Sequence, residues 1–231
     1  MSNRIALVTG ASRGLGLALA RALAGDGWSL VIDGRGSEAL DEAAQALSDD
    51  AKVVAIAGDV ADPEHRSRLV AAAAEFGGLD LLINNASVLG PSPQPNLADY
   101  PLDVLSTVYD VNVTAPLGLI QEALPLLRTS GGTIVNITSD AAIENYEGWG
   151  GYGSSKAALE QISNVLAAEE PTVTVIWFDP GDMNTAMHQE AYPGEDITDR
   201  PPPESSVPPL LRILEAGRPS GRYRATGTES S

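Results

Sequence analysis

The stretch from Ile5 to Gly16 constrains this chain's fold more than any other. Residues 5–9 (IALVT) are short, apolar and non-alternating, the pattern of a strand buried on both faces. They run directly into Gly10, Ala11, Ser12, Arg13, Gly14, Leu15 and Gly16, and an Ala- and Leu-rich helical segment covers 14–25. Glycines let the chain turn tightly and bring backbone N–H groups up to an anion, while the positive end of the helix dipole faces the same point. The spacing G-x-x-x-G-x-G differs from the common G-x-G-x-x-G, and its weight comes from following a first strand immediately. It reads as a pyrophosphate cradle; a glycine-rich turn without a ligand is the plain alternative.

The rest of the chain keeps the rhythm that this opening sets. Strand-like runs at 5–9, 29–33, 53–57, 79–84, 132–138 and 173–179 alternate with helical segments at 14–25, 37–48, 63–76, 102–127 and 152–169. That order predicts an α/β fold of Rossmann type, a doubly wound parallel sheet with helices on both faces, as one domain over 1–231. Two stretches interrupt it. Residues 89–101 carry Pro91, Pro93, Pro95 and Pro101 and read as a rigid loop. Residues 182–209, rich in proline and acid, begin where open α/β sheets bind ligands and read as a substrate lid, with an idle surface loop as the alternative. A helix at 208–216 and a short strand at 221–225 would close the fold, and 227–231 should fray.

Composition narrows the function classes. With 31 acidic against 14 basic residues the formal charge is −17, a surface that repels nucleic acid and anionic membranes, so neither is an expected partner. The sequence has no cysteine, which removes disulfides, thiolate catalysis and cysteine zinc sites. Its two histidines, His65 and His188, lack spaced ligand partners, so no metal is expected. A first strand beginning at Ile5 leaves no room for a signal peptide, and no apolar run approaches the roughly 20 residues of a membrane span. The cytoplasm is the expected location.

Specific motifs then appear in order. Thr9 to Gly16, TGASRGLG, resembles the cofactor motif of the short-chain dehydrogenase/reductase (SDR) family. Gly58–Asp59–Val60 resembles its adenine-contacting segment, with Asp59 near the adenine amino group. Asn84–Asn85–Ala86 resembles the N-N-A-G motif after the fourth strand, although Ser87 replaces the glycine, for which a slight adjustment is expected. Asn112, Ser139, Tyr152 and Lys156 fall where the family has its catalytic tetrad. Pro180–Gly181 with Thr185 resembles the P-G-x-x-x-T segment around the nicotinamide carboxamide. The resemblance covers nearly the whole chain and implies hydride transfer between a nicotinamide cofactor and a small carbonyl or alcohol substrate. It also implies cofactor contacts from Gly10, Ser12, Arg13, Gly14, Leu15, Gly16, Arg35, Asp59, Val60, Asn85, Ala86, Tyr152, Lys156, Pro180, Gly181 and Thr185.

The tetrad has a chemical logic. Reduction of a carbonyl needs an acid for the developing alkoxide, and oxidation needs a base. Lys156 follows Tyr152 by one helical turn (Y-x-x-x-K), so its charge can lower the phenol pKa. That pair alone is a common surface pattern; Ser139 at the end of a strand, able to hold the substrate oxygen against Tyr152, is what singles it out. Asn112 sits within a helical segment that it suits poorly. A kink or a buried bond to backbone is one reading, and the family's role, holding a water that links the lysine to solvent, is the other. Between Ser139 and Tyr152, Tyr146 and Trp149 form either a substrate wall or ordinary loop packing.

Cofactor choice turns on the end of the second strand. An acid there marks NAD-specific relatives, and Asp33 suggests one. Counting along the strand, however, the family's acid corresponds to Gly34, and Arg35 falls where NADP-specific members carry a base. Arg13 is the other common phosphate partner, so the expectation is NADP(H), with NAD(H) as the alternative. A non-catalytic nucleotide-binding regulator is disfavoured by the intact Ser–Tyr–Lys set, and a sugar-nucleotide epimerase by the lack of a C-terminal substrate domain. Surplus apolar residues at Leu117, Ile120, Leu124, Leu159, Ile162 and Val165 predict a homodimer or homotetramer.

Overall fold

Strand β1 (Ile5–Val8) shows how one sheet serves two cores. Side chains alternate across a strand, so Ile5 and Leu7 enter one apolar cluster while Ala6 and Val8 enter the other. The computed structural model describes residues 4–225, so the fraying expected at 227–231 lies outside the described residues. Six further parallel strands join β1: β2 (Ser29–Gly34), β3 (Val53–Ala57), β4 (Leu81–Asn84), β5 (Thr133–Ile137), β6 (Thr174–Asp179) and β7 (Gly221–Arg224). Their order in the sheet is β3-β2-β1-β4-β5-β6-β7. The order reverses between β1 and β4, which opens a crevice at the strands' C-terminal ends.

Helices cover both faces. Helices α1 (Gly14–Gly25), α2 (Ser37–Leu47) and α8 (Val207–Glu215) close one face over Val8, Ile32, Ile83 and Phe178. On the other, α3 (Pro63–Phe76), α5 (Ala115–Ser130) and α6 (Gly150–Glu169) close over Leu7, Val31, Leu82 and Ile134. Each aliphatic side chain buried in this way contributes about 1.5–3 kcal/mol. The edge strand β3 departs from the expected double burial: Val53 to Ile56 are only half-buried and Ala57 is exposed, because the strand has a neighbour on one side alone.

The single helix expected over 102–127 is interrupted. It consists of α4 (Leu102–Tyr109), a π-helical turn (Asp110–Thr114) and α5, which runs on to Ser130. Pro116 supplies a reason. It has no N–H, so the carbonyl one α-helical turn back, that of Asn112, loses its regular donor and the ladder widens there. The stretch 182–209 also has more structure than expected. It holds α7 (Ala186–Ala191) and a 3-10 turn at Pro203–Ser206 that leads into α8.

Candidate active site

The first turn is locked from two sides. Gly10 takes a positive φ of 66°, and its N–H donates to Asp33 Oδ1 at 2.6 Å. The Asn85 amide donates to the carbonyls of Thr9 (2.8 Å) and Gly10 (3.1 Å), and the Thr9 hydroxyl accepts from the N–H groups of Asn85 and Ala86. Gly16 closes the arrangement: a Cβ there would lie 2.3 Å from the Gly10 carbonyl oxygen. The loop thus holds its shape while the start of α1 points into the crevice.

A cavity of about 940 Å³ extends from this loop to the end of β6. From the first turn Gly10, Ser12, Arg13, Gly14 and Leu15 line it, and from the ends of β2 and β3 come Arg35, Asp59 and Val60. Asn85 and Ala86 follow β4, and Pro180, Gly181 and Thr185 follow β6. Ser139, Tyr152 and Lys156 line the same space. Gly16 and Asn112 do not. The first gives clearance, and the second stands behind the wall.

The tyrosine end is assembled by close packing. Gly153 brings α6 against the turn after β5, where a Cβ would sit 2.5 Å from the Ala141 carbonyl. This contact packs Tyr152 against Ala141, and Tyr152 and Ser139 line the same cavity. The Tyr152 ring meets Trp149 edge-on at 5.8 Å, and Lys156 Nζ lies 5.4 Å from the tyrosine ring centroid. Tyr152 and Lys156 are both buried, and Lys156 Nζ donates to the Ile137 carbonyl at 2.9 Å. Burial lowers the Lys156 ammonium to about 8. Burial also pushes the Tyr152 phenol above its ordinary range; the Ser87 hydroxyl opposes this, and the charges of Asp179 and Asp140 add to it. The lowered phenol expected from Lys156 is therefore overridden by desolvation, which disfavours the tyrosinate.

Asn112 is fully occupied. Its Oδ1 accepts from the Val88 N–H (2.9 Å) and the Ser87 hydroxyl (3.0 Å). Its Nδ2 donates to the Val88 carbonyl (2.9 Å) and Ser155 Oγ (3.0 Å). A π-helical turn and buried backbone bonds are both present, and its side chain has no amide position left for a water. Ser87 does more than adjust the turn, since its hydroxyl joins Asn112 and acts on Tyr152.

Other site residues were not read from the sequence. Asp140 accepts from Ser139 Oγ at 3.1 Å and from the Tyr146 hydroxyl at 2.9 Å. Met187, His188, Ala191 and Tyr192, on and just after α7, line the cavity with Tyr146 and Trp149. Tyr192 packs against Trp149 at 6.0 Å, so the rings on the two segments meet. The acid at 33 is buried with both oxygens bonded inward, to Gly10 and to His65 Nε2 at 3.0 Å. Weak periodicity hid α7, and strand alternation alone does not tell where a carboxylate is anchored.

Known proteins share this fold and much of this sequence. Residues 4–196 match the family described as short chain dehydrogenase. Dehydrogenase/reductase SDR family member 4 of Bos taurus is 35% identical over 225 residues, covering 95% of this chain and 77% of the relative. An oxidoreductase structure from Escherichia coli superposes with a TM-score of 0.90 at 30% identity, covering 98% of this chain and 96% of the other. A Shigella flexneri structure, described as a short-chain dehydrogenase complexed with NADP, gives 0.88 at 29% identity over 98% of each chain. No helix among the described residues is long and apolar enough to cross a membrane.

Proposed function

We propose that this chain, which belongs to the short-chain dehydrogenase family, is an NADP(H)-dependent oxidoreductase that reduces a small carbonyl compound with Tyr152 as proton donor. One observation carries the reading: a buried Tyr152–Lys156 pair and Ser139 share a cavity with a preformed phosphate loop. When bound there, a nicotinamide dinucleotide supplies the hydride. Burial keeps the Tyr152 phenol protonated, the form that donates to a developing alkoxide. Lys156, held on the Ile137 carbonyl, is placed to stabilise the tyrosinate left behind. Ser139 Oγ positions the substrate oxygen once it turns from Asp140. In a water relay from Lys156, the part left for Asn112 is its main-chain carbonyl, whose α-helical donor Pro116 removes.

For the cofactor, Arg13 and Arg35 are exposed at the cavity and, among the described residues, pair with no carboxylate. Asp33 is turned inward, and a Cβ at Gly34 would already press on the Ser12 hydroxyl at 3.0 Å. Two exposed guanidiniums, with the Asp33 carboxylate bonded inward, suit a ribose 2′-phosphate, and the Shigella flexneri relative was solved with NADP. The test is consumption of NADPH against NADH with a panel of ketones, quinones and aldehydes, together with dissociation constants for Arg13→Ala and Arg35→Ala. Each variant should weaken NADPH by about ten- to a hundredfold and leave NADH nearly unchanged. A wild type that prefers NADH, or equal losses for both cofactors, would reject the phosphate site; no turnover on any carbonyl would reject the reaction.

Assembly into a homodimer or homotetramer belongs to the same reading, on a narrower basis than the sequence suggests. Ile120, Leu124 and Leu159 are buried within the subunit, while Leu117 and Ile162 are half-buried and Val165 and Leu102 are exposed. A second copy packed on those faces would cover them. Light scattering at micromolar concentration should give a multiple of 24.0 kDa, and a stable monomer mass would refute it.

A further inference from the structure

We infer that His65, a residue outside the cavity, sets cofactor preference by holding the Asp33 carboxylate away from the adenosine ribose; the inference rests on the dinucleotide site proposed above. Asp33 is the last but one residue of β2, followed by Gly34 and Arg35, and all three line the cavity, so an unrestrained carboxylate there would confront a 2′-phosphate directly. It is restrained by both oxygens. Oδ1 accepts the Gly10 N–H, and Oδ2 is bound to His65 Nε2 at 3.0 Å.

The geometry also fixes the histidine's proton. Arg68 Nη2 lies 3.2 Å from His65 Nδ1, and a guanidinium can only donate. Nδ1 must therefore accept, which leaves the proton of the neutral ring on Nε2, directed at Asp33. The exposed Arg68 thus orients the ring, the ring directs the carboxylate, and the carboxylate secures the first N–H of the phosphate loop. His65 is fully buried, and Asp33 is 1% exposed. A buried carboxylate stripped of one partner leaves the interior if it can. Arg13 and Arg35 line the same cavity as Asp33, and their positive charge draws the freed group outward. It would then compete with the 2′-phosphate for the same two guanidiniums, and His65 prevents this.

The test measures NADPH and NADH dissociation constants by fluorescence, without substrate, for wild type, His65→Leu, His65→Gln, Asp33→Asn and the Asp33→Asn/His65→Leu pair. His65→Leu should reduce the NADPH-over-NADH preference by about tenfold or more, mainly by weakening NADPH. His65→Gln keeps an N–H donor and should retain most of the preference. The paired variant, with no charge to release, should restore it. Asp33→Asn alone, which has one oxygen for the two donors at Gly10 and His65, should weaken both cofactors together and leave their ratio within about threefold of wild type, because the native carboxylate is already screened. That last measurement does not depend on His65→Leu folding. Equal weakening of both cofactors in His65→Leu would overturn the inference, as would a tenfold rise in NADPH preference in Asp33→Asn. A wild type that favours NADH would instead reject the phosphate reading, and the variant-to-wild-type ratios would still judge His65.

Discussion

Tyr152→Phe is expected to lower kcat for carbonyl reduction by about 10²–10⁴-fold, the usual worth of a positioned general acid. Phenylalanine keeps the ring that packs edge-on against Trp149 and lies near Lys156, so fold and cofactor affinity should change little. The variant removes one hydroxyl from the cavity. The wild-type pH profile provides a second readout. Lys156, brought to about 8 by burial, is charged below that pH and neutral above it. A neutral lysine no longer stabilises the tyrosinate formed as the proton leaves, so kcat/KM for reduction should fall as pH rises through about 8. Near wild-type turnover in Tyr152→Phe, with cofactor bound, would exclude Tyr152 as the donor.

Gly16→Ala should nearly abolish cofactor binding. The added Cβ would lie 2.3 Å from the Gly10 carbonyl oxygen and 2.6 Å from Asn85 Nδ2. The first neighbour is backbone and cannot rotate away, so the turn itself must move. Moving it disturbs the Asn85 bonds to Thr9 and Gly10 and misaims the N–H groups at the start of α1. Overpacking of this kind costs about 1–3 kcal/mol in stability. The NADPH dissociation constant should rise by about a hundredfold or more, equivalent to roughly 2.7 kcal/mol or above. Gly25→Ala, at a position where a Cβ meets nothing within 4 Å, is the matched control. Unchanged affinity in Gly16→Ala would mean that the loop deforms freely and is not a preformed cradle.

Much of the fold is legible in the sequence because it rests on local rules. An apolar run ending in Gly10 and followed by Gly14 and Gly16 specifies strand, turn and helix within a single short segment, whereas the register of β1 with β2 and β4 comes from the structure. The break after α4 is written in Pro116, a residue easily passed over inside an otherwise helical pattern. The site is less legible where it depends on long-range partners. Asp33 looks like a ribose acid until His65, 32 positions further on, proves to hold it. Desolvation of Tyr152 likewise depends on Trp149 and Leu89 closing around it, which spacing along α6 does not reveal.

The two-sided use of β1 has a bearing on how such a chain can change over generations. Ile5 and Leu7 answer to one core, Ala6 and Val8 to the other, and Thr9 next to them anchors the phosphate loop. Inserting or deleting one residue there would exchange both cores and misplace the loop in a single event, so the cofactor half is nearly closed to length variation. The half proposed to take the substrate is built differently. Its wall comes from α7, the turn after β5 and the loop at Tyr192, which lie outside the shared sheet register. New substrates can be accommodated there by lengthening or trimming exposed segments while hydride chemistry stays in place. Innovation in this architecture is therefore confined by geometry to one end of the crevice.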